Sequence, residues 1–304
     1  MRVLIVGLGV QGRKRSKLLG SKFVASVDPK STDATYENIS SAPLEDFDAA
    51  FLCVPDDQKM ELIDYCVRNN KHVLVEKPLT GHNFSQLQEL EARAQKANVL
   101  VYTAYNHRFE PHFKGIKDII DSKKLGKIFS IRMFYGNGTA RLVRESEWRD
   151  TGLGVITDLA PHLLDTLAFW TNTGNLNGLS LRTNRFENMA PDHAIIQAKL
   201  NEIDIQLEMS LCMWRNSFFC DIIGEEGSAH VTSLCKWGPS SLIFRERILP
   251  SGRPKEEVHT LEMPDPTWEL EHEYFFNQIS AGAQTNLSTD IWIQRTLDEL
   301  SSLA

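Results

Sequence analysis

The chain opens with a short apolar run, Val3-Leu4-Ile5-Val6, that breaks directly into Gly7-Leu8-Gly9-Val10-Gln11-Gly12. A Gly-x-Gly-x-x-Gly between a strand and a helix leaves few folds open. Gly7 permits the tight turn, Gly9 lets a pyrophosphate approach the backbone, and Gly12 lets the helix pack close on the strand. Gly7, Gly9, Val10, Gln11 and Gly12 are therefore the expected contacts to a dinucleotide. Val10–Leu19 reads as the helix and Phe23–Val27 as a second strand ending at Asp28-Pro29. Asp28 stands at the spacing expected of a carboxylate that accepts from ribose hydroxyls. A carboxylate there repels a 2′-phosphate, so NAD is the expected cofactor; Lys30 supplies one nearby cation, which keeps NADP open. Arg13, Lys14 and Arg15 read as a solvated helix face, one of which could steer the dinucleotide's charge.

The same rhythm continues to about residue 105. Strands are expected at 49–54, 72–75 and 99–102, with helices at 60–67 and 84–97. Strands alternating with helices at this spacing imply a parallel sheet with right-handed crossovers. Glu76-Lys77-Pro78 ends the fourth strand. Residues at the C-terminal ends of parallel strands line the ligand crevice, so Lys77 reads as a functional amine. Pro78 fixes the backbone beside it, and Glu76 could hold its ammonium.

Beyond 105 the pattern changes. Helices are expected at 109–122 and 155–170, with strands at 127–135, 194–200, 204–212, 218–223, 229–232 and 242–247. Two closing helices are expected at 268–279 and 291–300. Gly227, Gly238-Pro239 and Pro250-Ser251-Gly252 supply turns. The expected fold class is α/β: an N-terminal Rossmann doubly wound parallel sheet, then a C-terminal α+β domain with a large, mostly antiparallel open sheet. The expected domains are 1–105 for the dinucleotide and 106–304 for substrate binding and oligomerisation.

Composition narrows the class. The 304 residues carry a formal net charge of -7, a poor field for nucleic acid. The five cysteines are odd in number and form no Cys-x-x-Cys pair, which favours reduced thiols in the cytoplasm. The N-terminal apolar run is too short for a signal segment, and no stretch is apolar for long enough to span a bilayer. A cytoplasmic protein with no membrane and no nucleic-acid partner is expected.

A third constellation is Asp158-Leu159-Ala160-Pro161-His162-Leu163-Leu164-Asp165. On a helix, Asp158 and His162 share one face a turn apart. Pro161 fits best in a first turn, where proline is tolerated. The pair is open to a structural reading, yet a histidine beside a carboxylate is the natural proton acceptor near neutral pH. Trp148 and Arg149, with Arg141 and Arg144 behind them, could form a solvated loop or bind a sugar face and an anionic group. His107 and His112 lack ligand spacing, so no metal is expected. Trp170, Trp214 and Trp237 read as core or interface.

These motifs together resemble the glucose–fructose oxidoreductase / inositol dehydrogenase (Gfo/Idh/MocA) family. The resemblance covers nearly the whole chain: the glycine fingerprint, Asp28, Cys53-Val54-Pro55, Glu76-Lys77-Pro78, Tyr105-Asn106-His107-Arg108-Phe109 and Asp158…His162…Asp165. It implies NAD(P)-dependent hydride transfer at a secondary alcohol or ketone of a sugar, cyclitol or nucleotide sugar; the arginines near Trp148 and a likeness of Gly7 to Arg15 to members from cell-surface sugar pathways favour a nucleotide sugar of surface-polysaccharide synthesis. It assigns Lys77 and His162 as catalytic, with Asp158 in support. It puts Pro55, Glu76, Lys77 and Asn106 beside the cofactor. The substrate contacts expected are Lys77, Trp148, Arg149, Asp158 and His162. It also implies a homodimer or homotetramer through the C-terminal sheet. Two departures stand out: Lys59 where the family often has a histidine, and a glycine run reduced to Thr151-Gly152-Leu153-Gly154. The alternatives are a dinucleotide-binding sensor without catalysis, or a reductase acting on a dihydrodiol or a pigment.

Overall fold

A computed structural model describes residues 1–80, 83–146, 149–172 and 175–304. Along the first third of the chain, strands and helices alternate. They are β1 (Val3–Val6), α1 (Val10–Leu19), β2 (Phe23–Val27), β3 (Ala49–Leu52), α2 (Asp56–Arg68), β4 (His72–Glu76), α3 (Phe84–Lys96) and β5 (Val101–Ala104). Then come α4 (Pro111–Asp121), β6 (Ile128–Gly136), α5 (Ala140–Arg144) and α6 (Val155–Thr171). Strands follow: β7 (Leu176–Asn184), β8 (His193–Leu200), β9 (Ile203–Ser210), β10 (Ser217–Gly224), β11 (Gly227–Thr232), β12 (Ser240–Glu246) and β13 (Lys255–Leu261). Helices α7 (Thr267–Ser280) and α8 (Ser288–Leu303) close the chain.

These elements form two units. The first comprises Met1–Asn106 and Thr267–Arg295. Its five parallel strands run in the order β2-β1-β3-β4-β5. An isolated parallel bridge between Val27 and Tyr36 lies beyond β2. Counting that bridge as a strand restores the order of the doubly wound dinucleotide-binding sheet. Every residue of β1 and β3 is buried, as expected of strands covered on both faces. The sequence assigns 106–304 to one domain, whereas Thr267–Arg295 belongs with the first unit. Packing explains this: Phe275 of α7 is fully buried and meets Phe51 of β3 edge-on at 5.4 Å.

The second unit comprises His107–Pro266 and Thr296–Ala304. Its eight strands run β13-β12-β11-β10-β6-β9-β8-β7. Only β6 and β9 pair in parallel; the other neighbours are antiparallel. Helices α4 and α6 pack on one face. Phe113 of α4 lies 5.3 Å from the Trp170 ring and 4.9 Å from that of Phe218 on β10. The Trp170 indole N–H donates to the Phe113 carbonyl at 2.9 Å, which satisfies its one polar atom in the core. Trp214, by contrast, is fully exposed.

Pro161, expected in the first turn of its helix, is instead the seventh residue of α6, nearly two helical turns beyond Val155. Its missing N–H leaves the Thr157 carbonyl without an intrahelical donor. Thr157 is exposed, so water can take that carbonyl and the helix tolerates the proline. Asn172, at φ 57°, ends the helix in the left-handed conformation that asparagine accepts.

Candidate active-site residues

In the first unit the glycine turn has the form a pyrophosphate cradle needs. Gly7 has φ +91°, and a Cβ on it would lie 2.3 Å from the Cys53 carbonyl oxygen. A Cβ on Gly12 would lie 1.8 Å from the Gly7 carbonyl oxygen, so any side chain there would push α1 off β1. Gly9 faces open space and Val10 is 84% exposed, which leaves the approach to the helix N-terminus clear. Asp28 sits at the end of β2. Its Oδ2 accepts from the Leu8 N–H at 2.7 Å, and its Oδ1 from the Lys30 and Ser31 N–H groups at 2.8 and 3.1 Å. Burial opposes its ionisation, but these three donors and the Lys30 charge outweigh it and hold the carboxyl below its usual range. The residues present therefore fit a dinucleotide with free ribose hydroxyls.

At the end of β4, Glu76 and Lys77 are half-buried. The Glu76 carboxylate, expected to hold the Lys77 ammonium, has a basic partner on α1. Its Oε1 accepts from Arg15 Nε at 2.6 Å. Arg15 is itself a correction: the triplet reads as a solvated face, yet only Arg13 fits that reading, paired with Asp33 in solvent. Lys14 lies 3.9 Å over the Trp268 ring, and Arg15 is 1% exposed. Pro55 is exposed at the N-terminus of α2. The Asn106 amide is buried and donates to Thr267 Oγ1 at 2.7 Å. Lys59, the departure from the family pattern, is 1% exposed and donates to the Pro78 carbonyl at 2.7 Å.

In the second unit α6 carries Asp158 and His162 one turn apart. Arg149 Nη2 donates to Asp158 Oδ2 at 3.1 Å, with both side chains about one-third exposed at 31% and 34%. His162 is nearly buried among rings that sequence reasoning did not connect to it. His107 stacks on it at 4.2 Å, and the Tyr135 ring meets it edge-on at 5.8 Å. The Tyr135 phenol is pushed well above its ordinary pKa by burial, then by the charges of Asp158 and Asp265. Asp165, one turn beyond His162, is fully buried and held by a two-pronged Arg108 contact, with Nε 3.0 and 2.9 Å from its oxygens. Strand alternation in 127–135 and the aromatic content of 105–109 were the available signals for this cluster. Trp148, an expected substrate contact, lies outside the described residues.

Among the described residues no group of three His, Cys, Asp or Glu side chains is disposed to hold a metal ion, and no helix is long and apolar enough to cross a membrane.

The first unit thus defines a dinucleotide-binding Rossmann protein, and the second supplies a wide sheet backed by a His/Asp helix. Residues 1–105 match the family model described as "Oxidoreductase family, NAD-binding Rossmann fold", and residues 113–230 match the "GFO/IDH/MocA C-terminal domain". The chain belongs to the Gfo/Idh/MocA family. Trans-1,2-dihydrobenzene-1,2-diol dehydrogenase of Xenopus tropicalis is 30% identical over 125 residues, which cover 41% of this chain and 37% of that protein. The chain therefore matches well under half the length of this curated relative. Two solved structures share the fold over the whole chain at 16% identity. Levoglucosan dehydrogenase in complex with NADH and L-sorbose has a TM-score of 0.85 and is 96% covered. UDP-N-acetylglucosamine 3-dehydrogenase GnnA from Acidithiobacillus ferrooxidans has a TM-score of 0.83 and is 97% covered.

Proposed function

We propose that this protein is an NAD-dependent dehydrogenase that interconverts a secondary alcohol and a ketone on the ring of a sugar-like substrate. The observation that carries the reading is the Glu76-Lys77-Pro78 turn. It presents an amine at the C-terminal end of a strand in a sheet whose glycine turn and Asp28 suit NAD. Bound NAD supplies the hydride acceptor. Lys77 donates a hydrogen bond to the substrate oxygen and stabilises the alkoxide charge that develops there. His162 takes the hydroxyl proton as general base, and Asp158 orients it and favours its charged form. Arg149 holds Asp158 and is available to a hydroxyl or anionic group of the substrate.

The relatives' names support the substrate class. A dihydrodiol, levoglucosan and a UDP-amino sugar oxidised at position 3 all present a hydroxyl on a ring carbon. A nucleotide sugar of surface-polysaccharide synthesis is the member of this class we favour, since arginines precede α6. The dihydrodiol relative makes the aromatic dihydrodiol the second reading. Five free thiols suit a reducing compartment such as the cytoplasm. We also infer a homo-oligomer formed through the second sheet.

The test is a panel of myo-inositol, levoglucosan, UDP-N-acetylglucosamine and trans-1,2-dihydrobenzene-1,2-diol with NAD, followed at the nicotinamide absorbance. Lys77→Met is expected to lower kcat by about 10²–10³-fold, the scale of one lost oxyanion donor, while NADH binds as before. Full turnover in that variant would remove Lys77 from the mechanism. NADH binding with no turnover across the panel would favour a sensor.

A further inference from the structure

Two buried cations grip the turn that carries Lys77, one on each side of it in the chain. On the N-terminal side is Arg15. Its Nε donates to Glu76 Oε1 at 2.6 Å, and its Nη2 to Glu271 Oε2 at 3.0 Å. Its Nη1 lies 2.9 Å from His272 Nε2, and its guanidinium carbon lies 4.4 Å over the Trp268 ring. On the C-terminal side is Lys59. Its Nζ donates to the Pro78 carbonyl at 2.7 Å and pairs with Asp56 Oδ1 at 2.6 Å. Both cations are 1% exposed.

Burying a charge is costly unless its partners are placed well, so two such groups on one short turn call for a reason. A purely structural ion pair would need only Glu271 for Arg15 and Asp56 for Lys59. Each cation instead spends a further hydrogen bond on a residue adjoining Lys77. The effect is to anchor the Glu76 carboxylate on one side and the Pro78 backbone carbonyl on the other, so that the side chain of 77 starts from a defined point. Reactive groups need that definition, because a misplacement of about 1 Å can cost 10²-fold in rate. Burial works against the protonated form of Lys59 and lowers its pKa, while the Asp56 charge opposes that effect. Asp56 is half-exposed and therefore open to mild substitution.

We propose that Arg15 and Lys59 are positioning residues that hold Lys77 in its working place from the two flanks of its turn. This rests on the role proposed for Lys77, and the experiment separates the two. Lysines are reductively methylated with ¹³C-formaldehyde, and the dimethyl-Lys77 line is identified by its loss in Lys77→Arg. The line is then followed in Lys59→Met, Arg15→Lys and Asp56→Asn, together with the melting temperature, NADH affinity, and kcat and KM on the panel above.

The expected result for Lys59→Met is a Lys77 line displaced toward the exposed lysines and a kcat lower by about 10–100-fold, with KM and NADH affinity within a few-fold of wild type. Asp56→Asn should show the same change in smaller degree, and decides the matter if Lys59→Met does not fold. An unmoved line, or a moved line with unchanged kcat, overturns the proposal. If no panel compound is turned over by the wild type, the proposed function fails. The position of the Lys77 line still decides whether the two cations hold it.

Discussion

Cofactor choice is decided at single residues. The Asp28 carboxylate is fixed by three backbone donors, with Lys30 and the exposed Arg13 close in the chain or by contact through Ser31. Asp28→Asn keeps one acceptor oxygen, enough for the Lys30 and Ser31 N–H groups, gives up the one that meets Leu8 N–H, and removes the charge. It should raise the ratio of NADPH to NADH affinity by about tenfold or more, as the loss of a like charge at close range requires. Paired fluorescence titrations check this, and an unchanged ratio would show that Asp28 does not read the ribose. Asp28 was legible because spacing from a glycine turn is a local property. Arg15 was not: three successive basic residues look equally solvated in sequence, and only the Glu271, His272 and Trp268 of a helix some 250 positions away draw the third inside. Lys59 was visible as an oddity, but its partner is a backbone carbonyl, which leaves no mark on composition.

Among the elements, α7 carries a built-in pH liability. His272 is buried against Arg15 and meets Phe51 at 5.0 Å. Burial, and then the Arg15 charge, push its pKa down to about 3. In the unfolded chain a histidine titrates near 6.5, so as pH falls the unfolded state takes up the proton first and stability drops. The window runs from about 6.5 to about 3, and the loss between pH 8 and pH 5 is about 2 kcal/mol. His272→Gln keeps an acceptor for Arg15 without a titrating ring. Urea melts at the two pH values should show a smaller decline for the variant, and equal declines would exclude His272 as the cause. Strands were unequally legible. β10 alternates Phe218, Cys220 and Ile222 inward, a plain period of two. β13 reads Lys-Glu-Glu-Val-His-Thr-Leu and is exposed almost throughout, so only its pairing with β12 makes it a strand. β7 contains Gly178 and a register shift that disrupt its alternation. The Asp158/His162 spacing on α6 was readable, but the rings of His107 and Tyr135 around His162 come from a sheet strand and a distant turn.

At the scale of the molecule, the second sheet is unevenly covered. Its inward residues are buried, while the opposite face leaves Ile223 39% exposed and stacks Phe219 on Phe134 at 5.1 Å. These apolar side chains share the face with Arg132, Glu208 and Asp221, a mix that suits contact with a second copy of the chain. Light scattering should give at least twice the chain mass, and Phe219→Glu with Ile223→Arg should reduce it to a monomer without unfolding; a wild-type monomer would end the idea. The first unit has a different consequence for how the protein is made. Its core needs Phe275 and its buried arginine needs Glu271, yet the 160 residues 107–266 lie between them and the rest of that unit. At ordinary translation speeds this is a delay of about 8–30 s, during which the cofactor half emerges from the ribosome with one wall absent. The second unit has all eight strands of its sheet in hand before the first can close, so the segment that begins the chain is among the last to finish folding.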